Sequence, residues 1–376
     1  MDDARKIDDA RKQAASASAP PAQATPAADG AGAPELLTRR LRGPWTDAEA
    51  EHALTLLLSG ALNDAQIGAL LALVRPDTAH ESEIVGAARA MRRFVTPVPW
   101  QGRPALAAAH ADRSLRLIDT CGTGGAAKTL NVSTGAAIVA ASVRVPGVRV
   151  AVAKHGNRSR TGRGSAEVLA ALGVNVDASP ETQARCLDEC GVCFCFAIHH
   201  HPAMRFAAGP RRALGFPTIF NVLGPLTNPA GATRQLIGVF DAALVEKVAH
   251  ALARLGCERA LVAHGAGGLD EISTLGPTTI AHVEGPRVRT TRTEPSHLGL
   301  APARAEDVSA RDLDHAVTML RAALAGEPSP ATDLVLANAG AALLVAGVVD
   351  DLRDGVALAR RAVESGEAVR TLDALA

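Results

Sequence analysis

Four segments of this 376-residue chain gather residue types whose spacing suits chemistry. The first runs from Asp119 to Thr134 and sets Gly122, Gly124 and Gly125 ahead of Thr129, Asn131, Ser133 and Thr134. Glycines let backbone N–H groups turn inward as a nest for phosphate oxygens. Hydroxyls at a helix start lie beside free N–H groups and the positive end of the dipole, which attract anions. A plain βα turn with an N-cap would use the same residues. A Walker loop is excluded, because Lys128-Thr129 follows Ala127 where that motif carries glycine. The second segment is Lys154-His155-Gly156-Asn157-Arg158-Ser159-Arg160-Thr161-Gly162-Arg163-Gly164-Ser165. Its cations, hydroxyls and glycines suit a highly anionic ligand wrapped by pliable backbone, and a solvated basic loop would have the same composition. In the third, Asp270-Glu271 follows the glycine-rich turn after His264. Adjacent carboxylates there can hold a hard divalent cation such as magnesium when it bridges phosphates, or simply open an exposed helix. In the fourth, Arg211 precedes the apolar, proline-rich run Phe216 to Pro229. A guanidinium beside such a wall suits a small aromatic carboxylate; a surface arginine next to a loop is the alternative.

A fifth grouping is rejected. Cys186, Cys190, Cys193 and Cys195, followed by His199, His200 and His201, resemble a zinc site in composition. Cys186 and Cys190 share a helix face with Leu187, however, and Cys193 and Cys195 lie in the apolar run Gly191 to Ile198, where cysteine behaves as a small hydrophobe. The second ligand pair also lacks CxxC spacing.

The elements that must position these segments follow from periodicity. Residues 35–97 read as helices: Thr46-x-x-Glu49, Asn63-x-x-Gln66 and Thr78-x-x-Glu81 are three capping boxes ahead of apolar residues at helical spacing. Gly60 and Pro76 end the first two. After Pro97 the pattern changes. Leu115 to Asp119 reads as a strand, Ser133 or Thr134 to Ala141 as a helix, and Val148 to Ala153 as a strand. Glu167 to Leu172 then reads as a helix and Val174 to Val176 as a short strand. Strands alternating with helices imply an α/β fold with a mostly parallel sheet, whose ligands bind at the carboxyl ends of strands. The expected organisation is a disordered tail over 1–34, rich in Ala, Pro and Ser after a repeated Asp-Asp-Ala-Arg-Lys, a helical domain over 35–104, and an α/β domain over 105–376. Part of about 200–220 is expected to pack on the helical domain.

Lys and Arg number 39, as do Asp and Glu, so no net positive charge recommends a nucleic-acid or membrane-surface partner. Seven Phe, two Trp and no Tyr leave few platforms for stacking bases. The longest nearly apolar run, Leu334 to Val349, is short for a membrane span and reads as a buried helix. Six cysteines and no secretory signal lead us to expect free thiols and a cytoplasmic location.

Taken together, the segments resemble the anthranilate phosphoribosyltransferases of tryptophan biosynthesis. The family pattern GTGGD…N-[IV]-S-T, KHGNR…GSAD, HHPAM…RRxLGxRTxFNxLGPLTNPA and HGxxGLDE appears in order at Gly122–Thr134, Lys154–Glu167, His200–Ala230 and His264–Glu271. The resemblance spans about residues 35–375, including Ser59 to Gln66 in the helical part. It implies transfer of a phosphoribosyl group from phosphoribosyl pyrophosphate to the amine of anthranilate, with release of pyrophosphate. It also implies a fold like the class II nucleoside phosphorylases, usually as a homodimer, for which the apolar face of helix Ala48–Leu58 is the expected surface. By the same resemblance Gly122, Gly124, Gly125, Thr129, Asn131, Ser133 and Thr134 would hold the pyrophosphate. Lys154, His155, Gly156, Asn157, Arg158, Thr161, Gly162 and Ser165 would hold the rest of the donor. Gly122, Asn157 and Arg211 would bind anthranilate, and Ser133, Asp270 and Glu271 would ligate Mg2+. No residue is required as a covalent nucleophile, and His155 reads better as a structural loop residue than as a proton acceptor.

Three departures stand out. Ala126 replaces the Asp that closes GTGGD, the following turn and the KHGNR loop are each one residue short, and GSAD ends in Glu167. Loss of that Asp predicts weaker donor binding or altered magnesium dependence. The rival readings are a pyrimidine nucleoside phosphorylase-like enzyme and a non-catalytic ligand-binding relative.

Overall fold

The computed structural model describes residues 32–126, 129–159 and 162–376. Most of the tail expected over 1–34 lies outside these residues; helix α1 (Ala33–Leu41), with Pro34 in its first turn, starts inside the tail's expected bounds. Helices α2 (Asp47–Leu58) and α3 (Asp64–Leu73) start at the predicted boxes, with Thr46 and Glu49, and Asn63 and Gln66, exchanging bonds. The third box is displaced. Helix α4 (Glu81–Arg93) is capped by His80, whose N–H donates to Glu83 (2.8 Å), while the Thr78 hydroxyl accepts from the Arg75 N–H (3.1 Å) in the preceding turn. Glu83 is wholly buried and also receives the Trp45 N–H (3.1 Å) and Arg40 (2.5 Å). Two long-range partners thus choose the start of α4, and the local Thr/Glu spacing is overridden.

Helix α5 (Pro104–Ala111) leads into a seven-stranded sheet of order β3-β2-β1-β4-β5-β6-β7. Its strands are β1 (Leu115–Gly122), β2 (Arg149–Gly156), β3 (Val192–Phe196), β4 (Arg234–Gly238), β5 (Arg259–Gly265), β6 (Thr278–Glu284) and β7 (Arg287–Thr293). The first five pair parallel, and β6 and β7 add an antiparallel hairpin. Helices α6 (Val132–Ser142) and α7 (Ser165–Ala171) follow β1 and β2 as expected. The strand expected at Val174–Val176 is absent: these residues turn from α7 into α8 (Pro180–Glu189), and the third strand is the apolar run β3.

The helices α9 (Arg205–Leu214), α10 (Leu244–Arg254), α11 (Leu313–Leu324), α12 (Pro330–Ala346), α13 (Leu352–Glu364) and α14 (Glu367–Leu375) complete the layers. One face of the sheet packs on α6 and on α12, the buried helix foreseen in the apolar run. The other face shares one buried cluster with the helical part, running from Trp45, Leu54 and Ile84 to Val248, Val262 and Ala281. The Phe206 ring of α9 lies where a Cβ on Gly60 of the helical part would be, and Gly60 has φ +79°, so glycine is required there twice over. The apolar side of α2, expected as a dimer surface, is covered within the chain. Ala50, Ala53, Leu54, Leu57 and Leu58 are at most 2% exposed, so this face cannot meet a second copy. No helix among the described residues is long and apolar enough to cross a membrane.

Candidate active site

The chemistry-bearing segments meet at the carboxyl ends of the parallel strands. In the first loop Gly124 and Gly125 have φ of +66° and +92°, the left-handed backbone that a nest requires. Gly122 is needed for a further reason: a Cβ there would collide with the Asp270 carboxylate, and one on Gly238 would collide with the Asp270 backbone. Two glycines on neighbouring strands thus make the seat of Asp270. Glu271 comes within 3.4 Å of the Thr129 hydroxyl, 142 residues away in sequence. Thr120 donates to the Ser133 carbonyl (2.9 Å) and ties the strand end to the first turn of α6. Ser133, Asp270 and Glu271 line one cavity of about 10 Å³ with Thr120, Cys121 and Asn338. That is room for about one water-sized group, and its donors are hard oxygens, as magnesium prefers. No set of three His, Cys, Asp or Glu side chains fit for a metal occurs among the described residues.

The second loop closes on the first. Asn131 donates to the Arg163 carbonyl (3.1 Å), and the Thr134 hydroxyl donates to Ser165 (3.2 Å). Arg163 donates in turn to the Ala310 carbonyl. Gly156 and Gly164 are tightly enclosed, by Phe194 and by the loop's own backbone respectively. Gly162 has φ +69°, Asn157 is exposed, and Arg158 lies 5.5 Å above the Phe196 ring. Thr161 lies outside the described residues.

Two basic residues of this loop are turned inward. Lys154 is 3% exposed, and its ammonium donates to the Thr120 carbonyl (2.9 Å). Burial pulls its pKa down, opposed by the charge of Asp119 and then by those of Cys121, Asp270 and Glu271. His155 is 5% exposed; its Nδ1 faces the Gly224 carbonyl (3.1 Å) and its Nε2 faces Nε2 of His201 (3.2 Å). With Nδ1–H donating to Gly224, His155 Nε2 must accept from His201. Burial, and then the neighbouring His201, hold His155 well below the usual histidine range. Its ring is therefore held within the protein by the Gly224 carbonyl and His201.

Arg211, on α9, stands 5.2 Å from the Phe220 ring, with its pKa lowered by burial. The apolar wall expected around it is largely interior. Val222, Leu223 and Leu226 are fully buried in the cluster beneath the helices, while Gly224 and Asn228 support β2 and its loop. Of the cysteines, Cys193 and Cys195 are core residues 3.7 Å apart inside β3, Cys186 and Cys190 are half-buried, and His199 and His200 engage Asp177 and Gln183. A cleft of about 530 Å³, lined by Val145, Val148, Arg149 and Asp188, sits at the opposite end of the strands and holds none of the site residues. Sequence reasoning passed over Asp119, Asn228 and Gly238. Asp119 and Asn228 were visible as polar residues inside apolar surroundings; Gly238 carried no signal.

Residues 114–369 match the α/β domain of the glycosyl transferase family, and residues 35–95 match its helical bundle domain. The fold and site thus define a glycosyl transferase with both domains of its class. The chain is 45% identical to the anthranilate phosphoribosyltransferase of Moorella thermoacetica over 332 residues, 88% of this chain and 93% of that protein. To the enzyme of Rubrobacter xylanophilus it is 46% identical, over 90% and 95% of the two chains. The crystal structure of the Thermus thermophilus anthranilate phosphoribosyltransferase superposes with a TM-score of 0.79 at 36% identity, covering 90% of this chain and 97% of the other. The chain belongs to the anthranilate phosphoribosyltransferase family, which displaces the nucleoside phosphorylase reading.

Proposed function

We propose that the chain transfers the phosphoribosyl group of 5-phosphoribosyl 1-pyrophosphate to the amine of anthranilate, at the strand ends where the two glycine-rich loops meet Asp270 and Glu271. The observation that supports this most is the convergence of Gly122 on Asp270, Thr129 on Glu271 and Asn131 on Arg163, three contacts between segments far apart in sequence. The glycine backbone at Gly122, Gly124 and Gly125, with Thr129, Asn131, Ser133 and Thr134, holds the pyrophosphate. The loop from Gly156 to Ser165 wraps the ribose phosphate, and Lys154 lends its charge from beneath.

Ser133, Asp270 and Glu271 are the residues that would hold magnesium, which when bound supplies positive charge to the leaving pyrophosphate. The Saccharomyces cerevisiae anthranilate phosphoribosyltransferase, 24% identical and alike in fold, has been solved in complex with this donor and magnesium. Arg211 pairs with the anthranilate carboxylate, and Asn157 and Gly122 bound the same acceptor. The C1–oxygen bond to pyrophosphate breaks with its electrons leaving on oxygen. The uncharged amine nitrogen bonds C1, and its surplus proton passes to solvent. Because an anilinic amine is neutral at pH 7, no strong base is required. The protein's part is alignment and stabilisation of the separating charges. We assign the chain to the cytoplasm and to a homodimer that uses a surface other than the covered face of α2. Loss of anthranilate fluorescence on adding the donor and magnesium tests the reading; no consumption by folded protein refutes it.

A further inference from the structure

The register of the sheet changes at the site. β1 and β2 pair from Leu115 opposite Arg149 to Ile118 opposite Val152. Beyond that point β1 pairs only with β4, and β2 only with β3. The strands part at Asp119 and Ala153, just before each enters its loop. Backbone groups left facing a departed neighbour need other partners, and here side chains supply them. Asp119 is 0% exposed; its carboxylate accepts from the His155 N–H (3.0 Å) and the Cys121 thiol (3.3 Å), and the Asn228 amide lies against it. Asn228 donates to the Ala153 carbonyl (2.8 Å) and accepts from the Ala230 N–H (2.9 Å). A buried carboxylate is tolerated only when donors surround it, and these come from β1, β2 and the segment after Thr227. Its placement therefore ties three segments together at the width the strands have opened to.

We propose that Asp119, with Asn228, is a positioning pair that sets the separation between the two donor-binding loops. Asp119 touches neither reactant. It holds the end of β2 through the His155 N–H, and so fixes where the loop after Gly156 begins relative to Gly122. The proposal rests on the assignment of both loops to the donor.

Steady-state kinetics with phosphoribosyl pyrophosphate, anthranilate and magnesium test it, alongside thermal melts of each variant. Asp119→Asn keeps the shape and one acceptor but turns the other oxygen into a donor facing the thiol and amide. It should raise the donor KM by at least about tenfold, the scale of outer-shell losses. Asn228→Ser should move the donor KM in the same direction by a smaller factor. The KM for anthranilate, whose carboxylate Arg211 holds from a separate segment while Gly122 and Asn157 only bound the ring, should rise by a clearly smaller factor than the donor KM in both. The double variant should fall short of the product of the singles, because both act through one network. An unchanged donor KM in a folded variant, or equal rises for both substrates, overturns the proposal. If Asp119→Asn does not fold, Asn228→Ser decides by the same criterion. An inactive wild type would remove the functional reading and this inference with it, whereas an active wild type with unaffected variants removes the inference alone.

Discussion

The two ends of the parallel strands are built from similar residue types and do opposite things. At the carboxyl ends, cations and hydroxyls accompany the start of α6, and glycines clear space around Asp270. At the amino ends, arginines are just as abundant, but helix C-termini meet them. Arg149 pairs with Asp188 at the end of α8 (3.2 Å), and Arg234 donates to Val345 in the last turn of α12 (3.1 Å) and pairs with Glu258 (3.2 Å). The difference follows from the right-handed βαβ unit, which sets strand C-termini beside helix N-termini. One end thus presents free N–H groups and positive dipole ends to an anion, and the other end spends its cations on free carbonyls. Size misleads here: the 530 Å³ cleft is at the end whose charges are already answered, and Ser133, Asp270 and Glu271 surround a cavity of about 10 Å³.

Breaking this contrast should be easiest at the metal carboxylates. Asp270→Asn should lower kcat/KM on the order of 10²-fold, the scale of a lost transition-state electrostatic contact, and raise the magnesium needed for half-maximal activity. A change under twofold would move the metal elsewhere. Next, Arg211→Ala should raise the KM for anthranilate by about tenfold or more through loss of a charge-assisted pair, with much less effect on the donor; equal effects would deny it that role.

Acid should loosen the same end. His201 is buried and held down to about 4 from an ordinary 6.5, and His155 is depressed in the same sense. The unfolded chain therefore binds more protons in that interval, so stability is fully present above about pH 6.5 and is lost as pH falls towards 4. Urea midpoints at pH 7 and pH 5 check this, and a midpoint that rises in acid contradicts it. At the opposite end, Arg234→Met should cost about 1–2 kcal/mol of stability by removing the bond to Val345 and a cation at a helix C-terminus. Both KM values should stay unchanged, and altered kinetics there would dissolve the contrast. The smallest effect is expected from Ala126→Asp, which should tighten donor binding a few-fold, about 1 kcal/mol as for one added hydrogen bond. Titration calorimetry reads it, and identical affinities would show that the departure at Ala126 is silent.

The residues surrounding the cavity were legible because glycine clusters, hydroxyls and an Asp-Glu pair have few other reasons to recur in that order. Legibility failed where a side chain's role depends on distant partners. The cap of α4 went to His80 and Glu83 because Arg40 and Trp45 bind Glu83. Lys154 and His155 looked like ligand contacts in a basic loop, yet β1 and the Gly224 segment draw both inward. The proline-rich run read as a wall for an aromatic ring and proved to be core and scaffold.

Local pattern, then, was enough for the helical part, the alternation that makes a parallel sheet, and the glycine-, hydroxyl- and carboxylate-bearing segments that the fold brings together, because period and backbone freedom are properties of neighbours in sequence. The parting of β1 from β2, the seat that Gly122 and Gly238 make for Asp270, and the covering of α2 arose only on folding. Each depends on how segments well separated in sequence are spaced in the fold, and no local propensity encodes such a distance.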